Sequence, residues 1–199
     1  DAFGESMKAF KKKGFTLGAY YSKADWHRKD FWKPEIFGDT RHINYDPKKY
    51  PDTWASFRSF TQGQIHEIGK LYKPDILWFD GGWIKPTYED LRWDEIAEDA
   101  RKINPEVIIV NRQGGYYEDY ITPEQGGIPD VPLVKPRELC QTMTSQWSFK
   151  RGEKYKDTKE ILSTLLSVVA KGGSYLLDIG PTAEGEFAPE AIQRLEVIY

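Results

Sequence analysis

Pro74-Asp75-Ile76-Leu77-Trp78-Phe79-Asp80-Gly81-Gly82-Trp83 decides how this chain is read. Ile76, Leu77 and Phe79 form a short apolar, β-prone run that predicts a buried strand, and the run stops at Asp80 before two glycines. A carboxylate therefore stands where a core strand ends. In barrels of alternating strands and helices, side chains at the carboxyl ends of strands face the active-site mouth. Elsewhere an aspartate before Gly-Gly is a turn former. Trp78 and Trp83 weigh toward the first reading, because aromatics flanking a strand-end acid give a sugar a stacking wall, although a tryptophan in such a run also serves as core.

The pattern repeats outward from this stretch. Residues 3–13 read as the end of a helix closed by Gly14, and residues 15–20 as a strand that exits into Tyr21-Ser22-Lys23-Ala24-Asp25-Trp26. Residues 27–50, with Pro34, Gly38 and Pro47, read as an irregular excursion. A helix over 52–71, capped by Asp52, carries Trp54, Phe57, Phe60, Ile65 and Ile68 near helical spacing and feeds the Asp80 strand. Downstream, 88–103 predicts a helix with Leu91, Ile96 and Ala100 on one face, then a strand over 107–110 exiting at Asn111-Arg112.

Residues 111–150 are loop-rich, with a candidate strand near 139–143. A helix over 157–170 starts at Asp157, carries Ile161, Leu162, Leu165, Leu166, Val168 and Val169, and stops at Gly172-Gly173. A buried strand over 175–179 ends at Gly180-Pro181-Thr182, and Pro189 opens the last helix. About four strands alternating with helices predict an α/β fold with a parallel sheet or barrel. A complete (β/α)8 barrel takes about 250 residues. The 199 residues, opening at Asp1 and closing at Tyr199 inside a helical pattern, are therefore expected to be one partial barrel domain, a fragment.

Composition sets limits on function. The chain is 39% hydrophobic and 30% charged with a net charge of -3, which suits a globular domain and argues against a nucleic-acid partner. Its one cysteine, Cys140, excludes an internal disulfide and a cysteine-only metal cluster, and His27, His42 and His66 have no zinc spacing. No apolar run is long enough to span a membrane. No Gly-x-Gly-x-x-Gly follows a strand, and no serine-histidine-acid set stands out. What the chain does offer is carboxylates at strand ends together with 15% aromatic residues.

Glycoside hydrolysis needs two carboxyl groups, one as nucleophile or base and one as proton donor. Asp80 is the first candidate. Glu124 in Thr122-Pro123-Glu124 and Glu138 in Pro136-Arg137-Glu138 are candidates for the second, both in the loop-rich stretch. Thr-Pro-Glu is also a routine helix start, and Glu138 could form a surface ion pair. Arg112 offers a fork of donors for sugar hydroxyls or for a carboxylate, with a structural salt bridge as the alternative.

Taken in order, Tyr20-Tyr21-Ser22 with Asp25-Trp26, Leu77-Trp78-Phe79-Asp80-Gly81, Asn111-Arg112, Thr122-Pro123-Glu124, Glu138-Leu139-Cys140-Gln141-Thr142-Met143 and the Gly173–Gly185 run resemble the motifs of the glycoside hydrolase family 29 α-L-fucosidases over nearly the whole chain. The resemblance implies a retaining exo-glycosidase on a (β/α)8-like barrel that releases terminal L-fucose from glycans without metal or cofactor, in an extracellular, periplasmic or lysosomal setting. It puts the nucleophile on Asp80 and fucose contacts on Tyr20, Trp78 and Arg112, with Trp26 as a further substrate-binding candidate. Glu124 and Glu138 match the family's two alternative acid/base positions, and the intact Thr-Pro-Glu motif favours Glu124. Two departures are Arg137, where a tryptophan is usual, and Asp178, where asparagine is common. The family's histidine-rich strands and the beginning of its barrel lie upstream of the matching portion, so the resemblance implies a barrel incomplete on its N-terminal side, and the isolated chain is expected to lack part of the sugar pocket and to fold poorly alone. A barrel glycosidase for another sugar and a silent carbohydrate-binding protein are the alternatives; Asp80 together with both glutamates speaks against the second.

Overall fold

A computed structural model describes residues 1–37, 41–81, 89–112, 117–126 and 135–198. The chain divides into two compact units, Asp1–Asp119 and Tyr120–Tyr199.

The first unit is a parallel sheet ordered β1-β2-β3, formed by Gly18–Ser22, Ile76–Asp80 and Ile108–Asn111. Three helices belong to it: α1 (Ala2–Lys12), α2 (Pro51–Tyr72) and α3 (Trp93–Ile103). Successive side chains on a strand point to opposite faces, and the register Ala19↔Leu77↔Ile109 against Tyr20↔Trp78↔Val110 sorts them. Ala19, Leu77 and Ile109 join Phe57 and Ile65 of α2 and Ile96, Ala97 and Ala100 of α3 in one core cluster. Tyr20, Trp78 and Asp80 take the other face.

Helix α2 follows from a stripe of Trp54, Phe57, Thr61, Ile65 and Gly69, all buried at helical spacing. Gly69 is small for a reason: a Cβ there would stand 3.2 Å from Ile103 Cδ1 of α3. Asp52 is not the cap expected for α2. Tyr50 holds the cap position without a side-chain bond, and Pro51 takes the first turn, where a missing N–H costs nothing. Asp52, one residue on, is still well placed for the positive end of the helix.

Other expected boundaries also move. Strand β1 begins at Gly18 and includes Tyr20, Tyr21 and Ser22, leaving Phe15 exposed before it. Helix α3 starts at Trp93 rather than 88, because Arg92 is left-handed (φ 58°) and its N–H donates to Asp90 Oδ1. Leu91 is fully buried, but from the loop before the helix. The described residues of the 27–50 excursion are irregular as expected, yet they supply Phe31, Ile43 and Tyr45 to the core. The amino ends of the strands are pinned by carboxylates: Asp75 Oδ2 accepts from Leu17 N at 2.8 Å and Asp119 Oδ2 from Ile109 N at 2.7 Å.

The second unit pairs β4 (Glu138–Thr142) with β5 (Ser174–Asp178) in parallel, with α4 (Thr158–Ala170) and α5 (Pro189–Ile198). Asp157 caps α4 by accepting from Glu160 N, as its sequence predicts. Only Ile161 and Val168 of α4 are buried, while Leu162, Leu166 and Val169 are exposed, so its apolar residues serve two faces. The described strands thus number five rather than about four, because the candidate near 139–143 is a full strand over Glu138–Thr142. No described helix is long and apolar enough to cross a membrane.

Phe79 is fully buried, 4.9 Å from the Trp93 ring. Phe79→Ala is expected to cost about 3–5 kcal/mol, read as a lower midpoint in urea unfolding of the full-length protein.

Candidate active site

The carboxyl end of the first sheet gathers four of the residues singled out from sequence. Asp80 is the last residue of β2, and Arg112 follows β3 by one residue. Parallel register puts Ser22, Asp80 and Arg112 on the same side as Tyr20 and Trp78, because their numbers share parity across the paired strands. The contacts bear this out. Arg112 Nη1 lies 3.1 Å from Asp80 Oδ1, and the Tyr20 hydroxyl donates to Asp80 Oδ2 at 2.8 Å. Each carboxylate oxygen has a donor, and the Asp80 and Arg112 side chains are only 19% and 14% exposed.

Aromatic rings extend the site toward solvent. Tyr20 and Trp78 stack with centroids 5.5 Å apart and 24° between planes, and the Arg112 guanidinium lies 5.3 Å from the Trp78 ring. Tyr20 is 60% exposed, so its ring offers a flat face to a ligand. Partial burial and the Asp80 hydrogen bond push its phenol above the ordinary tyrosine range, which keeps the hydroxyl a donor. The arrangement provides a carboxyl group held at both oxygens beside an aromatic wall: a nucleophile or general base next to a surface suited to a sugar ring.

Lys23 completes the group, and sequence reading did not single it out. It is 2% exposed, one residue beyond β1, and its Nζ donates to the Arg112 carbonyl at 2.9 Å. Trp26 is exposed in the turn that follows, where Asp25 Oδ1 accepts from His27 N. Trp83 and Gly82, expected to extend the aromatic wall and the turn, lie outside the described residues.

The two glutamates belong to the second unit. Glu124 is not a helix start: residues 121–124 run beside β4, with Cys140 N donating to Pro123 O and Gln125 N to Cys140 O, both at 2.9 Å. Glu124 pairs with Cys140 and is exposed, and Gln125 then turns the chain in a left-handed conformation. Glu138, expected in a loop, is the first residue of β4 and accepts from the Tyr120 hydroxyl at 3.2 Å. Glu124 is therefore level with a residue two steps, roughly 6.6 Å, nearer the carboxyl end of the strand than Glu138.

The chain matches the alpha-L-fucosidase family model over residues 1–198. It belongs to that family. Human tissue alpha-L-fucosidase is 30% identical over 216 residues, covering 98% of this chain and 41% of the relative. An alpha-L-fucosidase of Dictyostelium discoideum is 26% identical, covering 98% of this chain and 42% of the relative. Among solved structures, alpha-L-fucosidase isoenzyme 1 from Paenibacillus thiaminolyticus superposes with a TM-score of 0.79 at 27% identity, over 98% of this chain and 50% of that one. The Thermotoga maritima alpha-fucosidase, solved with a mechanism-based inhibitor, gives 0.70 at 28% identity over 96% and 42%. The chain thus spans about two-fifths of the length of these curated relatives.

Asp178 ends β5, and its Oδ2 is buried without a hydrogen-bond partner among the described residues. Burial raises its carboxyl above the usual carboxylate range. A raised folded-state value means that stability is greatest while the group is protonated and is lost as pH rises through the folded value. Asp178→Asn is therefore expected to stabilise the protein at neutral pH by on the order of 0.5 kcal/mol, seen as a higher melting temperature. The gain should shrink toward zero as pH falls below about 3.9, where aspartate is protonated in the unfolded chain as well. Calorimetry across that range checks it.

Proposed function

We propose that the protein carrying this chain is a retaining α-L-fucosidase acting on terminal fucose of glycans. In this reading residues 1–199 form part of a (β/α)8-like catalytic domain. One observation supports the reading most: Asp80 stands at the carboxyl end of a central parallel strand with one oxygen on Arg112 and the other on Tyr20, beside the Tyr20–Trp78 stack. Strand carboxyl ends are where barrel enzymes place their chemistry. The family match makes fucose the sugar to test first.

Asp80 is the nucleophile. One carboxylate oxygen attacks the anomeric carbon as the bond to the departing oxygen breaks, giving a glycosyl-enzyme ester; the departing oxygen takes a proton from a glutamate. Water then attacks the same carbon, gives its proton to that glutamate, and Asp80 leaves as carboxylate. Arg112 and Tyr20 hold the two oxygens of Asp80 and aim it, and Tyr20, Trp78, Arg112 and Trp26 contact the sugar. A retaining pair requires carboxyl groups about 5–5.5 Å apart. Glu124 takes the proton-donor role in preference to Glu138, because Glu138 sits at the amino end of its strand, where barrel enzymes place stabilising rather than catalytic groups. These steps need only carboxyl groups and water. The expected setting is a compartment where fucosylated glycans are degraded, extracellular, periplasmic or lysosomal.

Release of nitrophenol from an aryl α-L-fucoside by the full-length protein tests the assignment. Glu124→Ala should slow turnover by about 10²–10⁴-fold, with azide restoring it as the α-fucosyl azide. Asp80→Ala should lose activity, with azide giving the β-configured product. Glu138→Gln should stay within a few-fold of wild type. Rescue through Glu138 instead would exchange the glutamates' roles, and full activity of Asp80→Ala would end the nucleophile assignment.

A further inference from the structure

Lys23 is a buried cation that the mechanism above does not use. Lysine is among the residues least often fully buried, since its ammonium loses hydration, yet Lys23 is 2% exposed. Its contacts reach all three strand ends of the first sheet. It follows Ser22 of β1; its main-chain N–H donates to the Asp80 carbonyl at 3.0 Å; its Nζ donates to the Arg112 carbonyl at 2.9 Å. Gly81 makes this possible: its φ is +101°, and a Cβ there would stand 3.1 Å from Lys23 Cβ. On the helix side, Nζ lies 4.9 Å from the Trp93 ring centroid.

We propose that Lys23 is a positioning residue for the Asp80–Arg112 pair, holding the segments that carry both groups and adding a fixed positive charge beneath the nucleophile. The proposal rests on the fucosidase reading of the site. A methionine would fill a buried space of this kind without the cost of desolvating a charge, so packing alone does not account for a lysine. The charges facing Nζ are Asp80 at the end of β2, Arg112 after β3 and Glu118 beyond it. Burial lowers the ammonium to about 8; Asp80 opposes that shift, Arg112 adds to it and Glu118 opposes it. Lys23 is thus charged at neutral pH and loses its charge as pH rises through about 8.

An aryl α-L-fucoside with a strongly acidic phenol leaves without help from a proton donor, so kcat/KM for it reports attack by Asp80 without the glutamate's titration. In the full-length protein the wild type is expected to show a basic limb near pH 8. Lys23→Met should fold, bind fucose within about threefold of wild type and lose about 10- to 100-fold in kcat/KM, with a flat profile through pH 8. Lys23→Arg keeps the charge at every accessible pH; it should retain most of the rate and carry its plateau beyond pH 9. That variant decides the matter even if Lys23→Met is unstable. A limb near pH 8 that persists in Lys23→Arg, or a Lys23→Met rate equal to wild type, would overturn the role of Lys23 alone. No phenol release by wild type would overturn the fucosidase reading, and the role of Lys23 with it.

Discussion

The ion pair between Asp80 and Arg112 is the constraint on which the first unit's working end depends. A carboxylate and a guanidinium that are both largely withdrawn from water must meet each other and fill their remaining hydrogen-bond capacity, or the desolvation cost is not recovered. Here the pair closes at 3.1 Å, Tyr20 takes the second carboxylate oxygen, and the guanidinium lies against Trp78. Losing either charged partner would remove the opposite charge from the other, largely buried one. The pair therefore also constrains the sheet, since it is made only if β2 and β3 end at the same level.

Strand register meets that requirement. Parallel pairing of Ala19 with Leu77 and Leu77 with Ile109 sends small and branched apolar side chains into the core shared with α2 and α3. The same register brings Tyr20, Trp78, Asp80 and Arg112 to the opposite face. A slip of one residue would bury Trp78 and Asp80 among the helices and expose Leu77 and Phe79, so the hydrophobic core fixes the chemistry as firmly as it fixes the fold. Asp75 and Asp119 act at the other end, where each carboxylate accepts a main-chain N–H.

How much of this is legible in the sequence depends on whether local chemistry or distant partners decide each feature. The Asp80 strand could be read because an apolar run and a glycine turn adjoin, and α4 because Asp157 caps an apolar stripe. Tyr21 and Ser22 read as the exit of the first strand although they lie inside β1, since the strand is completed by pairing with β2, which leaves no local mark. Glu138 likewise looked like a loop residue after Pro136-Arg137. Its N–H donates to Ile121 O and its register partner is Ser174, both far along the chain. Lys23 is the least legible: Gly81, Trp93 and the Arg112 carbonyl, all remote in sequence, help turn a loop lysine into a buried one.

The central claim is that Asp80 bonds covalently to the sugar. The most direct test is mass spectrometry of the full-length protein after brief reaction with a 2-deoxy-2-fluoro-fucosyl fluoride, whose fluorine slows hydrolysis of the ester more than its formation. One added fluorofucosyl mass is expected on the peptide that contains Asp80, absent from the Asp80→Ala variant. A label on Glu124 or Glu138, or turnover of the reagent with no labelled peptide at any time, would contradict it.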